Sequence, residues 1–136
     1  MLISVDGFLR LNELVRRKPI TISGEATIHD VVKIMAEQNI GFLVVVENGR
    51  MVGVLSERDV VRSLAERGNL SIKVSDICKR DIITIQADAT LEEAAEKMGK
   101  HGIRHIVVVN KSGELIGVVS VRDLIQELYA TGSETD

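Results

Sequence analysis

Two stretches of this chain run through the same order of apolar and polar positions. Each opens on a short β-branched segment, Ile20–Ile22 and Ile83–Ile85, both reading Ile-Thr-Ile, a composition that suits a half-buried pleated surface. A threonine with an acid three residues on comes next, Thr27–Asp30 and Thr90–Glu93, the pattern of a capping-box helix start. Ile28, Val31, Val32 and Met35 then follow the i, i+3, i+4, i+7 spacing, and Leu91, Ala94, Ala95 and Met98 repeat it. That period predicts helices with one apolar face. Asn39 and Gly102 stand where the left-handed residue ending each helix is expected. Two apolar runs follow, FLVVV and IVVV, each joined by a turn to a second run, MVGVL or LIGVV. Asn48-Gly49, between the first pair, is a strong hairpin signal. Each second run ends at Ser56 or Ser120, and an amphipathic helix begins there. Strand, helix, hairpin, helix, twice over, predicts an α/β fold with helices covering both sheets.

The similarity extends residue by residue. Setting Leu11–Ile22 against Val74–Ile85 fixes an offset of 63, which holds until the hairpin turn, where ENG faces NKSG and one inserted residue raises it to 64. The phrase GVLSERD (Gly53–Asp59) then falls on GVVSVRD (Gly117–Asp123). The chain divides accordingly into an N-terminal extension 1–10, a first repeat 11–68, a second repeat 69–129 and a flexible tail 130–136. A repeat of about 50 residues buries little core alone. The two are therefore expected to pack as one module about a pseudo-twofold axis.

Composition narrows the function classes. Phe8, Phe42 and Tyr129 are the only aromatic residues, so the core must be aliphatic. A formal net charge of −3 argues against nucleic acid, whose phosphates need a basic surface. Cys78 is the single cysteine, which excludes an intrachain disulfide and suits a reducing cytoplasm. The N-terminus lacks the basic start and apolar run of a signal peptide, and no segment approaches the roughly 20 apolar residues of a membrane span. His29 and His101 read as solvated helix residues, since no metal-ligand spacing surrounds them. Cys78 aligns with Val15, which favours a small apolar role. The serines lack a base partner and no P-loop is present, so catalysis is not expected. The charged Lys79–Asp81 stretch reads as a solvated loop.

The doubled Ser-x-Arg-Asp phrase admits two readings. As a joint, Ser56 and Ser120 cap helices and Asp59 and Asp123 favour the helix dipole from the first turn, while Gly53 and Gly117 permit a bulge or close packing. As a site, each carboxylate can accept hydrogen bonds from both hydroxyls of a ribose. Arg58 and Arg122 can hold phosphate through charge-assisted bonds, and the helix N-terminus adds its own attraction for anions. Capping does not require the arginine, yet both copies carry it.

These paired phrases, the order of elements and the GIRHIVVV segment resemble the tandem CBS-domain proteins, or Bateman modules, over essentially the entire chain. The resemblance implies an adenosine-nucleotide sensor with two clefts between the repeats, able to take AMP, ADP, ATP or a related adenosyl compound, with no cofactor required. It implies that Ser56/Asp59 and Ser120/Asp123 hold ribose. The strands containing Thr21, Ile22, Thr84 and Ile85 would contact the base through backbone groups, and Ile40 and Ile103 would form apolar walls. Arg58, Arg122, Arg104 and His105 are the phosphate candidates. Arg104-His105 aligns with Gly41-Phe42, so the clefts should differ in anion affinity, one strong and one weak or empty. A homodimer is expected, with Leu2, Ile3, Phe8 and Leu9 available to cover part of its interface, together with an effector protein that the sequence does not name. The competing reading is a structural dimerisation or protein-interaction module with empty clefts.

Overall fold

Most of the apolar stripe of the first predicted helix is where the chain buries its side chains: Ile28, Val31 and Met35 face inward on α1 (Ile28–Gln38), whereas Val32 is exposed. In the computed structural model, which describes residues 9–15 and 18–134, with side chains through Tyr129, the elements follow the predicted order twice. The first set is β1 (Thr21–Ile22), α1, β2 (Phe42–Glu47), β3 (Arg50–Ser56) and α2 (Glu57–Arg67). After a short helix α3 (Val74–Ile77) come β4 (Thr84–Gln86), α4 (Leu91–His101), β5 (His105–Val109), β6 (Leu115–Ser120) and α5 (Val121–Glu134). α5 runs on into the stretch beyond residue 129 that the sequence reads as a tail. Each set makes a mixed three-stranded sheet, ordered β1-β2-β3 and β4-β5-β6, with the first pair parallel and the second antiparallel.

Local chemistry explains the boundaries. Thr27 and Thr90 cap α1 and α4 with complete capping boxes, and Asn39 and Gly102 end those helices in the left-handed region at φ 53° and 64°. Asn48 and Gly49 take φ 50° and 78°, the two positive angles that a tight hairpin turn needs. Leu43–Val45 of β2 and Ile106–Val109 of β5 are buried without a break, as expected of a central strand covered on both faces.

The chain folds as two compact units, Pro19–Ile82 and a second that joins Met1–Lys18 to Ile83–Asp136. Compact units and sequence repeats are thus not coextensive. Leu11, in a 3-10 turn at Leu11–Glu13, is fully buried with Ile85, Leu91, Met98 and Ile106. Its backbone N–H donates to the Ala89 carbonyl at 2.9 Å, and that of Asn12 donates to Ala87 at 2.9 Å. Its sequence equivalent Val74 is buried with Ile22, Val31, Leu43 and Leu55 instead, and donates to the Ala26 carbonyl at 2.8 Å. The segment leading into each repeat completes the core that the other repeat builds.

That exchange accounts for the paired glycines. Val45 pairs with Gly53 but Val46 with Met51, and Val108 pairs with Gly117 but Val109 with Leu115. Each glycine therefore adjoins a β-bulge, where an extra residue bends one strand. A Cβ at Gly53 would meet Cys78 Sγ at 2.8 Å and the Lys79 carbonyl oxygen at 2.9 Å. One at Gly117 would run into the Val15 side chain. Cys78 and Val15 occupy the same place in the two units, half-buried and packed against the core, which matches the apolar role read from their alignment. Overpacking that forces a backbone shift costs about 1–3 kcal/mol. Gly53→Ala is therefore expected to destabilise the protein by about that much in denaturant unfolding, and by more than Gly117→Ala, because its clash includes main-chain oxygen. Val15→Ala should recover most of the Gly117→Ala loss.

Candidate functional site

Both copies of the repeated phrase sit at a corner where the last strand of a sheet turns into a helix. In the first, Ser56 lies opposite Phe42 at the end of the β2–β3 ladder. The Glu57 N–H donates to the Gly41 carbonyl at 2.9 Å, which closes the corner. In the second, Ser120 lies opposite His105, and the Val121 N–H donates to the Arg104 carbonyl at 2.9 Å.

The two serines and aspartates form reciprocal caps. Asp59 Oδ2 accepts from the Ser56 N–H at 2.9 Å and from its hydroxyl at 3.0 Å, while the Asp59 N–H donates to Ser56 Oγ at 3.3 Å. Asp123 Oδ2 accepts from the Ser120 N–H at 2.8 Å, and the Asp123 N–H donates to Ser120 Oγ at 3.1 Å. The structural reading of the phrase is thus correct as far as it goes. It does not account for burial. Asp30 makes the same set of bonds to Thr27, and they hold its carboxyl below the ordinary value, the Thr27 backbone N–H most of all. Yet Asp30 is exposed, whereas the Asp59 side chain keeps only 7% of its surface. Capping needs no such burial. In both corners Oδ2 carries the cap, which leaves Oδ1 to accept from something else.

Pairing parity decides what the leading strands can offer. Thr21 and Thr84 stand opposite Val44 and Val107, but the cross-strand bonds at those places come from Ile20 and Ile83, whose carbonyls accept from Val44 and Val107 N–H. The backbone groups of Thr21 and Thr84 therefore point to the free edge of their sheets. Ile22 and Ile85 turn their side chains into the two cores. Ile40 and Ile103 are half-buried and pack against those cores. From strand spacing and rise, each threonine lies about 12 Å from the serine of its own corner, a nucleoside-sized span.

An open depression of about 410 Å³ adjoins the β4 edge, lined by Thr84, Ile85, Gln86, Asp88, Ala89, Glu93 and Lys97. Lys97 Nζ donates to the Thr84 carbonyl at 2.6 Å. Ser120 and Asp123 are not in its wall. Sequence reasoning missed Lys97, which replaces the apolar Ile34 of the first repeat.

The arginine candidates Arg58, Arg104 and Arg122 are exposed, and His105 is half-buried. The corners differ in charge. Where the second has Arg104 and Val121, the first has Gly41 and Glu57, and a side chain at residue 41 would collide with the Glu57 carboxylate. Lys79, read from sequence as part of a solvated loop, belongs to the first corner: its Nζ lies 3.6 Å from Asp59 Oδ1, and its backbone pairs with Val54 through bonds of 2.8 and 2.9 Å. The available signal was Arg16, the basic residue at the equivalent place in the other repeat, which lies outside the described residues. His29 and His101 are exposed. Among the described residues no group of three or more His, Cys, Asp or Glu could hold a metal ion, and no helix is long and apolar enough to cross a membrane.

Two repeats of this construction, each with a capped Ser-x-Arg-Asp corner, define a CBS pair. The CBS domain family matches residues 11–66 and 74–130, and the chain belongs to that family. It is 38% identical to a CBS domain protein from Pyrobaculum aerophilum solved in complex with AMP, covering 90% of this chain and 99% of that one with a TM-score of 0.79. A CBS domain pair solved with 5′-methylthioadenosine and S-adenosyl-L-methionine is 26% identical, over 92% of this chain and 98% of that one, with a TM-score of 0.81. Among curated relatives, an inosine-5′-monophosphate dehydrogenase from Korarchaeum cryptofilum is 36% identical over 85% of this chain, which spans only 23% of the enzyme.

Removing a serine cap costs about 1 kcal/mol. Ser56→Ala and Ser120→Ala are each expected to lower the stability of the ligand-free protein by about that amount in denaturant unfolding.

Proposed function

We propose that this chain is a regulatory sensor that binds an adenosine-bearing ligand, AMP, ADP or ATP first among them, at the strand–helix corner of a repeat. The observation that carries this reading is the Asp59 carboxylate, buried beyond any need of its cap, with its equivalent at Asp123 joined to its own cap through the same oxygen. Oδ1 of either residue can take the ribose hydroxyls, with Ser56 or Ser120 beside it. The free-edge backbone of Thr21 or Thr84 can face the base, with Ile40 or Ile103 as the nearby apolar surface. Arg58, Arg122, Arg104 and His105 supply the positive charge a phosphate needs. Two related structures hold adenosine derivatives, which supports the ligand class.

The opposite charges of Glu57 and Arg104 at equivalent corners support unequal sites, one strong and one weak or empty. Binding acts by population shift: a ligand that prefers one conformation biases the balance toward it. At a hundred times its dissociation constant the bias reaches about 2.7 kcal/mol. The protein catalyses nothing in this account. It works in the cytoplasm as a homodimer and passes its state to an effector protein. Val121, Ile125, Leu128 and Tyr129 form an exposed stripe on α5, and an isologous contact can use such a face. Of the N-terminal residues expected at that interface, Leu2, Ile3 and Phe8 lie outside the described residues, and Leu9 packs against the core of its own unit. The same stripe favours a second reading, an interaction module whose corners are only joints.

Calorimetric titration with AMP, ADP, ATP and S-adenosylmethionine separates the two. Saturable binding is expected, weakened about 30- to 150-fold by either Asp59→Asn or Asp123→Asn and scarcely changed by the other, as loss of charge-assisted bonds worth about 2–3 kcal/mol implies. No heat from any of these ligands, with an unchanged melting temperature, would favour the interaction module.

A further inference from the structure

We infer that Lys79 is a ligand-contacting residue of the Asp59 corner and selects ligands by their phosphate. The inference rests on the nucleotide reading above and adds a residue to it. Asp59 Oδ2 is fully engaged by the Ser56 N–H and hydroxyl, so an incoming diol must use Oδ1. Lys79 Nζ stands 3.6 Å from that oxygen, beyond hydrogen-bond length. The pair is electrostatic, and the ammonium keeps its three donors for other acceptors.

Its placement is not accidental to a mobile side chain. The Lys79 N–H and carbonyl clamp the main chain to Val54 on β3, and Gly53 gives that segment room to lie against the strand. The backbone is fixed beside the carboxylate while the side chain, 57% exposed, can swing. A cation there answers a specific problem. Asp59 binds hydroxyls but repels phosphate, and Glu57 adds a second negative charge over Gly41. Lys79 offsets the first of these at the oxygen that the ligand uses. Held between Oδ1 and a 5′-phosphate, its ammonium pairs with both. An uncharged nucleoside would gain nothing from it.

The test is titration of AMP and of adenosine into wild type, Lys79→Met, Lys79→Arg, Asp59→Asn and Asp123→Asn. Lys79→Met should weaken AMP about tenfold or more while leaving adenosine within about twofold, and Lys79→Arg should restore AMP. Backbone bonding to Val54 survives both substitutions, so the melting temperature of the free protein should hardly move. Equal loss for AMP and adenosine, or no loss for AMP, would overturn the assignment. If Asp59→Asn leaves AMP binding intact and Asp123→Asn removes it, the nucleotide reading stands and the role of Lys79 falls. If wild type binds neither compound, both fall together.

Discussion

The carboxylate of Asp59 is withdrawn from water, and a buried charge persists only when it is hydrogen-bonded or paired. Two hydrogen bonds from Ser56, one from its N–H and one from its hydroxyl, meet that requirement, and the 57%-exposed Lys79 ammonium stands 3.6 Å from the other oxygen without bonding to it. The two residues tie different parts of the structure to the corner. Ser56 ends β3 and starts α2, so its bonds fix where sheet becomes helix. Lys79 brings in the segment that precedes the second repeat, held flat on β3 because Gly53 has no side chain. The spacing Gly-x-x-Ser-x-Arg-Asp therefore encodes one assembly in which close approach, cap and carboxylate depend on each other. A ligand that bonds to the remaining oxygen draws on all three.

The exchange of leading segments gives the duplication a mechanical meaning. Leu11 and Val74 are fully buried plugs, each in the core opposite to its own repeat in sequence. Neither core is complete without a segment that the chain delivers from elsewhere. The duplication is thus joined within each unit by backbone and apolar contacts between one repeat and the segment that leads into the other.

Much of this was legible in the sequence. The Thr27, Thr90 and Ser56 capping boxes, the left-handed Asn39 and Gly102 and the Asn48-Gly49 turn depend on neighbours within four residues, and local chemistry specifies them. The repeat itself follows from the offset of 63, and the family resemblance from the doubled phrase; the family match bears both out. What could not be read depends on contacts distant in sequence. Alignment placed Cys78 with Val15 but could not show that each packs against a glycine distant in sequence, Gly53 and Gly117 respectively. Lys79 looked like loop charge because its partner Asp59 is twenty residues back. The Lys97 bond to the Thr84 carbonyl was invisible because β4 had first to present that carbonyl at a free edge.

The central claim is that the repeated phrase is a site and not only a joint, and amide shift mapping tests it most directly. AMP titrated into isotope-labelled protein should move the amides of Ser56, Asp59 and Lys79, or those of Thr84, Ser120 and Asp123, more than any others. Perturbation confined to the exposed face of α5, or none at saturating AMP, would contradict it.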